Sequence, residues 1–328
     1  MKKTKKLLIV LLIILAGLAT AVLSIMKIAG NHRSNPADII SYETSHPFIT
    51  GRTELIAHRF GAGIAPEESM LAIDTCLTRE DIAMDIFEFD LRLTKDGHAV
   101  VFHDKTLDET TDAVTLWGGE EICVADKTLA ELRQLNMGAG FVDENGNQPY
   151  AALSEVPDNL RIMTVTEALD YLVAGGVTRL SIEAKDAGEA GMKAADILYK
   201  ELVARDLLDS TVFSSFKTDV SAYVAETYPD MIRSNTDAQA IEFFLAALFN
   251  LKNYEAPCTV FQFPFTDKYL NMGVNFGTAK ILNYAHSRNI AVHYWVVDDP
   301  DRIAYLESIG ADGIMTDYPD ILTETIGK

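Results

Sequence analysis

The sequence predicts an α/β chain: a TIM-type (β/α)8 barrel with a small insertion, preceded by one N-terminal transmembrane helix. Three observations carry this expectation. From residue 54 onward, short apolar runs alternate with amphipathic helical patterns, which is how a parallel sheet with crossover helices reads. About eight such units follow, and closed barrels hold eight within about 250 residues. Leu7–Met26 carries no charge, and at about 1.5 Å per residue it spans about 30 Å, the thickness of a bilayer's hydrocarbon core.

The 328 residues are 48% hydrophobic and 23% charged, ordinary globular usage that excludes a disordered or low-complexity chain. Net charge is −20. Residues 1–33 hold six of the 28 basic residues and none of the 48 acidic ones, so residues 34–328 carry −26. A body that acidic repels phosphate backbones, and nucleic acid is excluded as a partner.

Residues 1–30 read as a membrane anchor or a signal segment. Lys2, Lys3, Lys5 and Lys6 precede the apolar run and hold the N-terminus in the cytoplasm, which places a single-pass protein in the cell membrane with its body outside. Ala19-Thr20-Ala21 offers a cleavage site, and cleavage would leave a secreted protein. Apolar residues continue past it as Val22, Leu23, Ile25 and Met26, which favours a span. Residues 31–53 hold Ser, Asn, Pro and Thr without periodicity and are expected to form a stalk. Cys76, Cys123 and Cys258 show no C-x-x-C spacing, so neither a disulfide framework nor a zinc site is expected.

Strands are expected at Glu54–His58, Ile86–Leu91, Ala99–His103, Arg179–Glu183, Thr211–Ser214, Met231–Arg233, Cys258–Phe263, Ala291–Val297 and Gly313–Thr316. Helical patterns lie at Glu68–Leu77, Leu129–Asn136, Val165–Ala174, Gly188–Ala204, Val220–Thr227, Ala238–Phe249, Thr278–Arg288 and Pro300–Ile309. An open doubly wound sheet is the alternative. Gly61 and Gly63 follow the first strand, but Pro66 and the missing third glycine break a dinucleotide fingerprint. Residues 105–160 interrupt the alternation with Trp117-Gly118-Gly119, Asp143–Asn147 and Pro149. That is too long for a loop, so residues 54–328 read as one barrel with an inserted subdomain.

In such a barrel the working residues sit at the C-terminal ends of the strands. Those ends carry His58-Arg59, Glu88-Phe89-Asp90, His103-Asp104 and Glu183-Ala184-Lys185. Glu88 and Asp90, two apart on a strand, face one way. Two carboxylates so placed repel unless a cation joins them. With Glu183 they make an oxygen set suited to Mg²⁺ or Ca²⁺ rather than Zn²⁺. Asp96-Gly97 between alternating runs signals a hairpin. With those two residues as the loop, Asp90 pairs with His103, their Cβ atoms about 5 Å apart. Trp295 lies on a strand and is expected to line the site. His32, His46, His98, His286 and His293 read as satisfied core or surface residues.

At these residues the chain resembles the glycerophosphodiester phosphodiesterase family, a phosphatidylinositol-phospholipase-C-like barrel. The family's His-Arg-Gly and Pro-Glu-Asn-Thr are similar to His58-Arg59-Phe60-Gly61 and Pro66-Glu67-Glu68-Ser69. Its Glu-x-Asp, Thr-Lys-Asp-Gly and His-Asp block resembles Glu88–Asp104, and its Glu-x-Lys strand resembles Glu183–Lys185. Its aromatic-Trp strand and Asp-Gly-Ile-x-Thr-Asp-x-Pro ending are similar to Tyr294-Trp295 and Asp312–Pro319. The resemblance implies one divalent cation, Ca²⁺ or Mg²⁺, and hydrolysis of glycerophosphodiesters to sn-glycerol 3-phosphate and an alcohol; with the N-terminal run read as an anchor, the catalytic domain is expected to be extracellular. It implies Glu88, Asp90 and Glu183 as metal ligands and His58 and His103 as the acid/base pair. Arg59 and Lys185 hold phosphate, and Glu67 and Trp295 complete the substrate-binding set. The chain departs from the pattern at Phe60, at Glu68 and Asp298 where Asn is usual, and at Glu109 where Arg is usual. Three rivals stand beside this reading: a phospholipase D-like or phosphoinositide-cleaving lipid enzyme on the same scaffold, a non-catalytic surface binding protein and a structural domain.

Overall fold

The computed structural model describes Gly17, Thr20 and residues 33–265 and 275–327. Nine strands form where apolar runs predict them: β1 (Glu54–Ala57), β2 (Ile86–Leu93), β3 (Ala99–Val101), β4 (Leu180–Ala184), β5 (Thr211–Ser214), β6 (Ile232–Arg233), β7 (Val260–Pro264), β8 (Ala291–Trp295) and β9 (Gly313–Thr316). The helices are α1 (Met70–Thr78), α2 (Ala113–Trp117), α3 (Leu129–Leu132), α4 (Val165–Ala174), α5 (Gly188–Ala204), α6 (Thr218–Thr227), α7 (Asp237–Leu248), α8 (Ala279–His286), α9 (Pro300–Ser308) and α10 (Pro319–Ile326). Capping boxes start several of them: Thr164 with Glu167 opens α4, and Thr236 with Gln239 opens α7.

Eight strands run parallel in the order β6-β5-β4-β2-β1-β9-β8-β7, and β3 pairs antiparallel with β2. This is a nearly closed barrel of the TIM type. Among the described residues no ladder joins β6 to β7; instead the Gln262 backbone N–H donates to Asn235 Oδ1 across the seam at 2.7 Å. Alternation sorts the side chains. Ile56, Ile86, Val212, Val260, Ala291 and Met315 fill the interior. Phe87, Phe89 and Ile182 pack outward under α1, α4 and α5, and Phe261, Phe263 and Ile314 under α7 to α10.

Four expectations change. The hairpin pairs Leu91 with Val101 and Leu93 with Ala99, one residue away from the expected register. Its loop has three residues, Lys95-Asp96-Gly97, closed by Thr94 N–H donating to the His98 carbonyl. Gly97 takes φ +83°, the left-handed position such a loop needs. Asp90 therefore lies opposite Phe102, not His103.

Residues 33–53 do not stand free as a stalk. The strap runs down the barrel's flank, where Ser34 Oγ accepts from Ala279 N–H, Asn283 Oδ1 from Ile40 N–H and Asn289 Oδ1 from Ser45 N–H. It ends by placing Phe48, fully buried, in the N-terminal mouth of the barrel.

The helix expected at Leu129–Asn136 stops at Leu132, and α10 forms where no helix was expected. Residues 105–160 do carry a core of their own, from Leu107, Ala113, Val124, Leu132 and Met137 beneath Val100 and Phe102. The transmembrane helix expected at Leu7–Met26 lies outside the described residues. Among the described residues no helix is long and apolar enough to cross a membrane.

Candidate active site

A cavity of about 310 Å³ opens at the C-terminal end of the strands. His58, Arg59, Glu88, Asp90, His103, Glu183, Lys185 and Trp295 all line it. The strand register accounts for the carboxylates. Asp90 on β2 pairs with Glu183 on β4, and paired residues of neighbouring parallel strands share a face about 4.8 Å apart. Glu67 does not reach the cavity; it holds the Arg59 guanidinium from behind at 3.0 Å.

His103 arrives by a route other than the expected pairing. Past the end of β3 the chain turns inward, and Arg92 Nε donates to the His103 carbonyl at 2.9 Å. Arg92 is itself fixed by Asp186 at 2.6 Å. His58 follows β1 in a tight turn where Arg59, Phe60 and Gly61 all have positive φ, a conformation costly for non-glycine residues. Burial of Phe60 against Phe89, ring centroids 5.1 Å apart, helps offset that strain. So does the Arg59 N–H, which donates to Glu88 Oε2 at 2.9 Å.

Each histidine is oriented by a carboxylate. His58 Nδ1 lies 2.5 Å from Asp317 Oδ1, and His103 Nδ1 lies 2.7 Å from Asp104 Oδ1. Nδ1–H donation to these oxygens turns both Nε2 atoms away from them, with His58 Nε2 3.9 Å from Glu88 Oε2. Burial lowers the His58 pKa, but Glu88 and Asp317 outweigh it, and the net shift is upward.

The carboxylates are short of positive charge. Burial, then the Asp90 charge, lifts Glu88 to about 8 and Glu183 to about 7. Burial acts the same way on Asp90, but Lys185, His103 and Arg59 outweigh it and hold it below the usual range. Lys185 Nζ stands 3.4 Å from Asp90 Oδ1 and 3.1 Å from Glu183 Oε2. Asp90 Oδ2 is buried with no hydrogen-bond partner among the described residues. Among those residues no group of three or more His, Cys, Asp or Glu side chains is arranged to hold a metal ion. The donor chemistry nevertheless fits a hard cation: three carboxylates, one with an orphaned oxygen.

Two departures from the family pattern acquire roles. Asp298 Oδ1 accepts from Thr316 Oγ1 and from the Asp317 N–H, at 2.8 and 2.9 Å, and so sets the turn that presents Asp317 to His58. Glu68 Oε1 accepts the Asp90 N–H at 2.7 Å, and burial, then Asp90, raises its pKa well above the usual range.

Several lining residues escaped sequence reasoning: Ser181, Ser214, Phe216 and Gln262. Ser181 was findable, since it lies two residues before Glu183 on the same strand face. Gln262 Nε2 donates to Ser181 Oγ at 3.0 Å across the barrel, and Phe216 meets Trp295 edge-on at 5.7 Å.

Comparison with known proteins agrees with this geometry. The chain is 26% identical over 278 residues to the glycerophosphodiester phosphodiesterase of Bacillus subtilis, covering 81% of this chain and 84% of the relative. It is 26% identical to that of Caldanaerobacter subterraneus, covering 84% and 99%. Among solved structures it resembles an Oleispira antarctica phosphodiesterase in complex with the product sn-glycerol-3-phosphate, with TM-score 0.63, 21% identity and coverage of 86% and 99%. It also resembles the glycerophosphodiester phosphodiesterase of Agrobacterium tumefaciens, with TM-score 0.60, 19% identity and coverage of 83% and 99%. Residues 58–321 match the Glycerophosphoryl diester phosphodiesterase family. Because that match takes in every residue lining the cavity, the chain belongs to the glycerophosphoryl diester phosphodiesterase family and is a phosphoric diester hydrolase.

Proposed function

We propose that the chain hydrolyses glycerophosphodiesters to sn-glycerol 3-phosphate and an alcohol, with His58 and His103 moving the protons. One observation carries this reading. Two histidines, each tied through Nδ1 to a carboxylate, share a single cavity with Arg59 and Lys185. One imidazole takes the proton from water as its oxygen bonds to phosphorus. The other donates a proton to the leaving alkoxide as the phosphorus–oxygen bond breaks. Arg59 and Lys185 balance the charge that grows on the phosphoryl oxygens.

Glu88, Asp90 and Glu183 would hold one divalent cation, Mg²⁺ or Ca²⁺. When bound it supplies Lewis-acid neutralisation of the phosphodiester. The test is release of glycerol phosphate from glycerophosphocholine by the full chain in detergent, with and without chelator. Metal-dependent release that His58→Ala abolishes supports the reading; equal release from the variant overturns it.

The lysine-flanked run Leu7–Met26 supports a further part of this proposal, that the enzyme is held in the cell membrane with its barrel outside. Retention of the full chain in membranes after alkaline carbonate washing tests it; release into the wash overturns it.

A further inference from the structure

The flank built by α7, α8 and the strap is unlike the rest of this acidic protein. Phe249, Ile40 and Leu251 are 54%, 52% and 50% exposed. They belong to one surface. Lys280 Nζ donates to the Leu248 carbonyl, and Tyr284 Oη and Arg288 Nη2 donate to the Leu251 carbonyl. Ile40 lines a cleft of about 520 Å³ with Ala247, Asn250 and Lys280. On α7 itself Ile241, Leu245 and Leu248, spaced i, i+4, i+7, are only half-buried.

Charge sets this flank apart further. Stretches 243–254 and 278–288 carry Lys252, Lys280 and Arg288 and no acid, in a chain with 48 acidic residues against 28 basic ones. The strap adds Arg33, Arg52, Asp38 and Glu43, and Glu242 and Glu255 border the first stretch, so the flank's charge is balanced where the body as a whole is strongly acidic. An apolar patch with Lys252, Lys280 and Arg288 close by, on a flank without the body's net negative charge, is suited to a lipid interface.

Where the chain goes next names the occupant. Arg33 lines a cavity with Phe244, Leu248 and Lys280 on this same flank. Six residues, 27–32, separate it from the uncharged run ending at Met26. Fully extended they reach about 20 Å. If that run lies in the bilayer, this flank cannot move far from the membrane surface.

We propose that the α7–α8 flank is a membrane-docking surface, with Ile40, Phe249 and Leu251 entering the interface of the bilayer that holds Leu7–Met26. The inference rests on the anchor reading above. It gives the enzyme a fixed orientation on the lipid that supplies its diesters, beyond a loose tether.

The experiment uses the full chain reconstituted in phosphatidylcholine–phosphatidylglycerol vesicles, with plain or brominated acyl chains. Flotation of the vesicles reads the anchor alone. Docking is read by Phe249→Trp, with Val173→Trp on α4, 41% exposed, as the control and the unsubstituted chain as background. The expected result is emission lost in brominated vesicles for Phe249→Trp and unchanged for Val173→Trp. Unquenched emission from both variants in floating vesicles overturns docking and leaves the anchor standing. Unquenched emission with cross-linking between copies at position 249 also overturns it, in favour of a second chain on this face. A chain that fails to float overturns both readings.

Discussion

At the N-terminal end of the strands, Glu54, Asp85 and Asp312 each sit beside a basic partner. Arg179 donates to Glu54 at 2.8 Å and covers the Phe48 ring at 4.5 Å, Arg52 clasps Asp85 at 2.7 Å, and His286 meets Asp312 at 2.9 Å. At the C-terminal end Glu88, Asp90 and Glu183 share the Lys185 ammonium, and the Arg59 guanidinium stands 3.8 Å from Asp90 Oδ2, an oxygen with no hydrogen-bond partner among the described residues. Burial raises Glu54 and Asp312 at the floor as it raises Glu88 and Glu183 above, but each floor carboxylate has a basic partner of its own. A matched pair serves folding; an unmatched cluster leaves its attraction for a ligand to satisfy.

The largest effect that would sharpen this contrast is on turnover. His58→Ala and His103→Ala should each cost about 10²- to 10⁴-fold in kcat, with urea midpoints near those of the parent. A variant retaining full rate would remove that residue from the chemistry. Next comes the floor. Phe48→Ala should lose about 3–5 kcal/mol of stability, read from urea unfolding, while the folded fraction keeps its kcat. A large fall in kcat without loss of stability would break the separation of the two ends.

Acid should push the two ends in opposite directions. Burial, then the neighbouring positive charges, lowers His293 to about 3 and His46 to about 4. From pH 6.5 down to those values the unfolded chain takes protons that the folded chain refuses, so stability falls with pH. Glu88 and Glu183, raised to about 8 and about 7, hold protons in the folded chain that the unfolded chain releases above pH 4.5. Stability from these groups is present at low pH and is lost as pH rises through 7 and 8. Each group contributes roughly 1.4 kcal/mol per pH unit within its window. Between pH 7 and 5 these two sets of groups therefore oppose each other in the parent. His293→Phe should gain stability on acidification, and Glu88→Gln should lose it. Identical shifts in all three chains would break the contrast.

The smallest effect is at the rim. Glu67→Gln removes a partly exposed pair worth about 0.5–1 kcal/mol, so KM should rise about two- to five-fold with kcat kept. A fall in kcat alone would move Glu67 into the chemistry.

Much of this was legible in the sequence. All nine strands, and α4 and α5 to the residue, follow from apolar periodicity. The metal and histidine candidates follow from strand ends and a period of two. What stayed hidden depends on distance or on local choice. Asp317 orients His58 across 259 positions, and nothing local announces that contact. Asp96-Gly97 is compatible with two- and three-residue loops, and the side chain of Thr94 helps select the longer one by accepting the His98 N–H. The strap has no periodicity to read because single hydrogen bonds to Asn283 and Asn289 place it, not an apolar stripe.

That strap bears on how the molecule can be divided. The family match begins at residue 58, yet Ser34 already bonds to the barrel's flank and the buried plug is Phe48. A fragment excised at the family's first residue would discard β1 and the plug together, opening an apolar hole to water. The physical unit of inheritance here is longer than the recognisable one. A gene fusion that transplants this activity must carry β1 and the Phe48 plug along with the first shared histidine.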